Sequence, residues 1–191
     1  MKLLAVKLLN FRSYQNEVNI PLSDFTALIG RNDIGKSTIL EALEIFFNNE
    51  VVKIDGSDPC VHAKGKIVEI ACVFDELPTA LVLDERSETS LEAEYLLNSE
   101  GKLEIVKQFN CAAKTIKCEI FARAQHPIQA SLANLLQLKN ADLKTRLKEL
   151  TVGTEGVDQR SNTSLRSEPP RYCRRPVSSS YAAMGVSSSM A

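Results

Sequence analysis

The sequence predicts an α/β fold in which a central sheet carries a glycine-rich loop, followed by an antiparallel β lobe. Three observations predict it. The apolar period changes from strand to helix across residues 25–48, a glycine-punctuated loop sits at the change, and residues 67–122 carry hairpin and meander patterning. With 191 residues, 44% of them hydrophobic, the chain can bury one core, and one domain or one and a half is expected.

The opening residues Lys2 to Phe11 and Glu17 to Ile20 read as strands, and Phe25 to Ile29 is a compact apolar run ending at Gly30. Ile39, Leu40, Leu43, Phe46 and Phe47 then recur at helical spacing, so a helix is predicted from about Lys36 to Asn48. A polar stretch from Asn48 to Gly65 leads into Ile67 to Phe74, where alternate residues are apolar as in a strand. Leu91 to Leu97 and Lys102 to Phe109 flank the turn Asn98-Ser99-Glu100-Gly101, and Thr115 to Ala122 adds a further strand. Helices are predicted over Pro127 to Leu138, with proline in the first turn, and over Asp142 to Leu150, where Leu143, Leu147 and Leu150 share a face. From Gly153 the periodicity fades, and nine serines fall between Ser161 and Ser189, so no packed element is expected there.

Composition narrows the function classes. A formal net charge of -1 provides no global basic field for nucleic acid, so any DNA contact has to come from a local patch or another region. No apolar run approaches the ~18 residues that a membrane span needs, and Met1 to Leu9 lacks the features of a signal peptide. The expectation is a soluble cytoplasmic protein. Five cysteines without a C-x-x-C pair fit reduced thiols, and Cys60 with His62 reads as plain loop rather than metal site.

The strongest chemical signal is Gly30-Arg31-Asn32-Asp33-Ile34-Gly35-Lys36-Ser37, a full match to the Walker A pattern G-x-x-x-x-G-K-[ST] placed between an expected strand and an expected helix. Glycines let the backbone curl until successive N–H groups point inward, and the helix adds its unpaired N-terminal amides. A triphosphate with Mg²⁺ fits that pattern of charge, so ATP and Mg²⁺ are the expected ligands. Gly30 supplies the turn, the amides from Asp33 through Ile34 and Gly35 to Lys36 cradle the β-phosphate, and Lys36 reaches the β- and γ-phosphates. The Ser37 hydroxyl is the expected Mg²⁺ ligand, and Thr38 lies close to the α-phosphate.

Together with the opening Leu8-Leu9-Asn10-Phe11-Arg12-Ser13-Tyr14, the segment from Ile29 through the glycine loop to Leu43 resembles the N-terminal domain of RecF, SMC and OLD-type ATPases. The string Asn32-Asp33-Ile34-Gly35-Lys36 is most similar to OLD nucleases and Gabija A proteins. This resemblance implies a P-loop NTPase of the ABC-head type, in which Asn32 touches the γ-phosphate and Asn10 to Ser13 lies near the nucleotide. It also implies DNA as a partner of the complete protein, head-to-head homodimerisation, and roles in DNA repair, DNA processing or phage defence. The resemblance runs to about residue 166. The expected organisation is therefore an ATPase N-terminal lobe over residues 1–152 and a Ser/Arg/Pro-rich tail over 153–191, the whole being a truncated head.

Hydrolysis in such heads requires an apolar strand ending in Asp-Glu and a glycine-serine signature of the LSGGQ kind. No such signature follows Lys36. Two strings have the acidic form: Ile70 to Phe74 before Asp75-Glu76, and Leu81 to Leu83 before Asp84-Glu85. Glu76 and Glu85 are thus the candidates for the catalytic base, with strand end and loop the plainer readings. Lys102, Lys107, Lys114, Lys117 and Arg123 make one stretch locally basic, which suits DNA phosphates but reads more simply as a solvated strand face mixed with Glu104 and Glu119. Three functions stand side by side: an OLD/RecF-like ATPase with a downstream nuclease, a nucleotide-switched SMC/RecF-type DNA clamp without one, and an inactive nucleotide-binding fragment.

Overall fold

The computed structural model describes residues 1–31, 35–49, 51–84, 87–127, 138–149, 159–160, 165–166 and 177–183. Within them the chain forms β1 (Lys2–Leu9), β2 (Val18–Pro21), α1 (Lys36–Phe46), β3 (Ile67–Asp75), β4 (Leu81–Asp84), β5 (Ser87–Thr89), β6 (Leu103–Asn110), β7 (Cys118–Pro127), α2 (Asn140–Glu149) and β8 (Val177–Ala183). Six strands share one sheet in the order β2-β1-β3-β6-β7-β8, and β4 pairs with β5 in a separate hairpin. The ladders β1 with β2, β1 with β3 and β4 with β5 are antiparallel. This is a mixed α/β fold with an antiparallel sheet.

Two compact units make up the chain: one drawn from Met1–Glu76 and Glu104–Phe121, the other from Leu77–Leu103 and Ala122–Gly185. In the first unit β1 runs against β3 from Lys2 opposite Asp75 to Leu9 opposite Glu69. Nearly every residue of β3 is buried, so its apolar run is continuous rather than half-solvated. One helical face, formed by Thr38, Ile39, Ala42, Ile45 and Phe46, is buried, and the Phe46 and Phe74 rings meet with centroids 6.2 Å apart. The second unit holds the β4–β5 hairpin, the turn at Asn98–Gly101 and α2, whose Leu143 and Leu147 are buried.

Three elements differ from their sequence reading. Phe25–Ile29 is not a strand: Ser23 turns the chain locally, its N–H donating to Thr26 Oγ1 at 2.9 Å and its hydroxyl to the Phe25 carbonyl at 2.7 Å. The run stays open, with Phe25 86% and Ile29 91% exposed. Leu91 to Leu96 winds through turns instead of extending. Ser90 Oγ accepts from the Ala93 N–H at 3.1 Å, and the Leu96 N–H reaches back to the Leu91 carbonyl at 2.9 Å, which buries both leucines at a spacing that alternation would not give. The β4–β5 hairpin lies where the sequence showed only an acidic string. The helix expected over Pro127 to Leu138 falls mostly outside the described residues.

Beyond Gly153 three short stretches are described, 159–160, 165–166 and 177–183. Leu165 is fully buried, and Arg166 pairs with buried Glu94 at 2.9 Å, Nε to Oε2, with Thr89 donating to Glu94 Oε1 at 3.1 Å. Val177–Ala183 is the edge strand β8, beside β7.

Candidate nucleotide site

The site is built where α1 begins. Gly35 occupies the N-cap position with φ 93° and ψ 13°, the left-handed region that an L side chain resists. A β-carbon placed there falls 2.6 Å from Ser13 Oγ and 3.0 Å from the Tyr14 hydroxyl, so the backbone conformation favours glycine and a side chain would have to displace these groups. Among the described residues no side chain caps the helix, although Ser, Thr, Asp or Asn commonly does so, and no acidic residue lies in its first turn. Among the described residues no side chain takes up the amides at this end of α1, where the helix dipole favours an anion.

What presses against Gly35 is the loop after β1. Its backbone takes two left-handed residues, Asn10 at φ 54° and Arg12 at φ 51°, and the surroundings hold both. Buried Asn10 donates through Nδ2 to the carbonyls of Gly65 at 2.9 Å and Ile67 at 2.8 Å, and its Oδ1 accepts from the Cys60 N–H at 3.0 Å. The Arg12 N–H donates to the Asp58 carbonyl at 2.7 Å, its Nε to Asp58 Oδ1 at 2.8 Å, and Nη1 to Glu41 Oε2 on α1. Burial works against the Arg12 guanidinium, but these two carboxylates outweigh it and leave its pKa above the ordinary value. The loop thereby delivers Tyr14, whose hydroxyl donates to the Gly35 carbonyl at 3.1 Å. Burial pushes the Tyr14 phenol up, so it remains a donor.

Lys36 folds back over its own loop, its ammonium donating to the Gly30 carbonyl at 2.7 Å and to the Arg31 carbonyl. Ser37 is exposed at the start of the helix and Thr38 is buried beneath it. Gly30, Gly35, Lys36, Ser37 and Thr38 are thus brought together at one helix end, with Ser13 and Tyr14 beside them. Asn32, Asp33 and Ile34 lie outside the described residues.

A family model described as an AAA ATPase domain matches residues 1–167. The chain belongs to this family. The endonuclease GajA of Bacillus cereus (strain VD045) is 35% identical over 77 residues, a stretch covering 39% of this chain and 13% of that relative. The matched stretch is thus a small part of GajA's length.

In this AAA ATPase domain the acidic string of β3 sits away from the glycine loop. Asp75 faces Lys2 at the start of β1, while the Asn10–Tyr14 loop follows the other end of that strand. Phe74 meets Phe46 and Phe47 at the far end of α1, an 11-residue helix about 16 Å long. Glu76 is therefore not brought to Lys36; its own N–H donates to Asp75 Oδ1 at 2.7 Å, with φ 51°. Glu85 lies outside the described residues.

The far end of α1 is closed by Asn48 in the left-handed region at φ 57°, whose N–H bonds the Ile45 carbonyl at 3.3 Å while the Asn49 N–H bonds the Glu44 carbonyl at 3.0 Å. This is a Schellman ending. Lys107 completes it, donating to Asn48 Oδ1 at 2.5 Å and to the Ile45 carbonyl at 3.4 Å, with its ammonium 5.5 Å from the Phe46 ring centre. Burial lowers the pKa of Lys107, with Cys118 and Cys72 opposing, and burial pushes Cys72 up to about 12. Lys107 is therefore not on the solvated face expected of the basic stretch. Nor is Glu104, buried against Lys7 at 2.8 Å; Lys114 and Lys117 are exposed. The sequence missed Asp58 and Lys107 because neither stands in a motif; their roles come from partners 46 and 62 residues away.

Among the described residues no helix is long and apolar enough to cross a membrane.

Proposed function

We propose that residues 30–38 form a Walker A site for ATP with Mg²⁺, in a P-loop NTPase lobe of the ABC-head type. The observation that carries this is the helix end at Gly35: a left-handed glycine, no side-chain cap, and a lysine next in sequence whose ammonium rests on loop carbonyls. In this reading Gly30, Asn32, Asp33, Ile34, Gly35 and Lys36 surround the phosphates, Ser37 holds Mg²⁺, and Thr38 lies by the α-phosphate. Residues 1–152 are assigned to the lobe and 153–191 to a tail that stays family-like to about 166.

The complete protein is read as an OLD/RecF-like cytoplasmic ATPase acting on DNA in repair, processing or phage defence, with head-to-head dimerisation. Similarity to a protein named as an endonuclease supports the DNA-processing side of this reading. For the chain itself the proposal is binding without turnover, because Glu76 follows a strand at the other end of α1 from Lys36. Steady-state phosphate release from wild type, Glu76→Gln and Glu85→Gln tests it. All three are expected to stay far below the ~1 to 100 s⁻¹ of phosphoryl-transfer enzymes. Turnover in that range that one Glu→Gln change stops would make that glutamate the base and the site complete.

A further inference from the structure

We infer that Tyr14 is a positioning residue for the phosphate-binding end of α1, acting through the Gly35 carbonyl. The inference rests on the nucleotide reading above and adds to it a residue outside the glycine loop. The Gly35 carbonyl accepts two donors: the Ile39 N–H at 3.3 Å, which closes the first helical turn, and the Tyr14 hydroxyl at 3.1 Å. Because the peptide is planar, fixing that carbonyl also fixes the direction of the Lys36 N–H on the same peptide unit, and the first turn carries the orientation on to Ser37 and Thr38.

The delivery of Tyr14 is over-determined. Two left-handed residues, Asn10 and Arg12, sit just before it, and each is held by several bonds to residues 58–67. Arg12 also grips Glu41, about one and a half turns into α1, so the loop is tied to the same helix at two heights. Ser13 Oγ stands where a Gly35 side chain would be, so any residue but glycine there has to displace it. Left-handed residues over-determined by their surroundings cluster at functional segments.

Tyr14→Phe removes the hydroxyl and keeps the ring, so the fold is retained. Calorimetric titration of the full chain with Mg-ATP and Mg-ADP, with Lys36→Ala as reference and apo melting temperatures alongside, tests the inference. Tyr14→Phe is expected to weaken both nucleotides by about fivefold to tenfold, while the apo melting temperature falls by no more than about 4 °C, the effect of one hydrogen bond lost from the fold. Wild-type affinity in Tyr14→Phe, with binding lost in Lys36→Ala, overturns the positioning role alone. A fall in melting temperature well beyond about 4 °C accompanying the weaker binding makes Tyr14 merely structural and overturns it as well. Equal affinity in wild type and Lys36→Ala removes the nucleotide reading and this inference with it.

Discussion

The two ends of α1 are finished in opposite ways. At the C-terminal end Asn48 and Asn49 close a Schellman motif, and buried Lys107 donates to the Ile45 carbonyl over the ring of Phe46. At the N-terminal end the helix starts on a left-handed glycine without a side-chain cap, and the supporting contact from Tyr14 falls on the carbonyl, not on the amides. The closed end contributes stability; in the proposed reading the other end leaves its donors to a ligand.

The largest way to break this contrast is Gly35→Ala. A β-carbon there meets Ser13 Oγ at 2.6 Å in a backbone region that costs an L residue about 1 to 2 kcal/mol before any clash. A loss of about 3 kcal/mol is expected, read from the urea midpoint at constant slope, together with loss of nucleotide binding. A stable Gly35→Ala protein would mean that the loop after β1 does not hold the helix end as described.

Lys107→Ala sharpens the contrast from the other end. It removes the donor at the Ile45 carbonyl and the stem packed near Phe46, and an expected cost of about 1 to 2 kcal/mol follows. Nucleotide affinity should stay within about twofold, because the change lies at the end of α1 remote from Lys36. A large affinity change with unaltered stability would show that the two ends are coupled rather than divided in role.

How much of this was legible in the sequence depends on whether the signal was local. Gly35, Lys36 and Ser37 stand in one contiguous string, and α1 follows from apolar spacing, so that end of the helix was readable residue by residue. The apolar runs of β1 and β3 were readable for the same reason. Lys107 looked like one lysine of a basic strand, and only the pairing of β6 within the sheet carries it to the end of α1. Phe25 to Ile29 misled in the other direction: its composition is that of a strand, yet Ser23 turns the backbone and no ladder partner is found among the described residues. Strand propensity describes a fit to neighbours, and neighbours are what a local string omits.

The central proposal is that the N-terminal end of α1 is a phosphate site served by Lys36, and that Lys36 contributes little to the fold. Lys36 bonds carbonyls of its own loop at a partly exposed position, so Lys36→Ala should leave the melting temperature within about 2 °C, under about 1 kcal/mol for a chain of this size. Titration of wild type and Lys36→Ala with Mg-ATP by calorimetry is the direct measurement. Saturable binding by wild type and none detectable in the variant is the predicted result; the same affinity in both would contradict the claim.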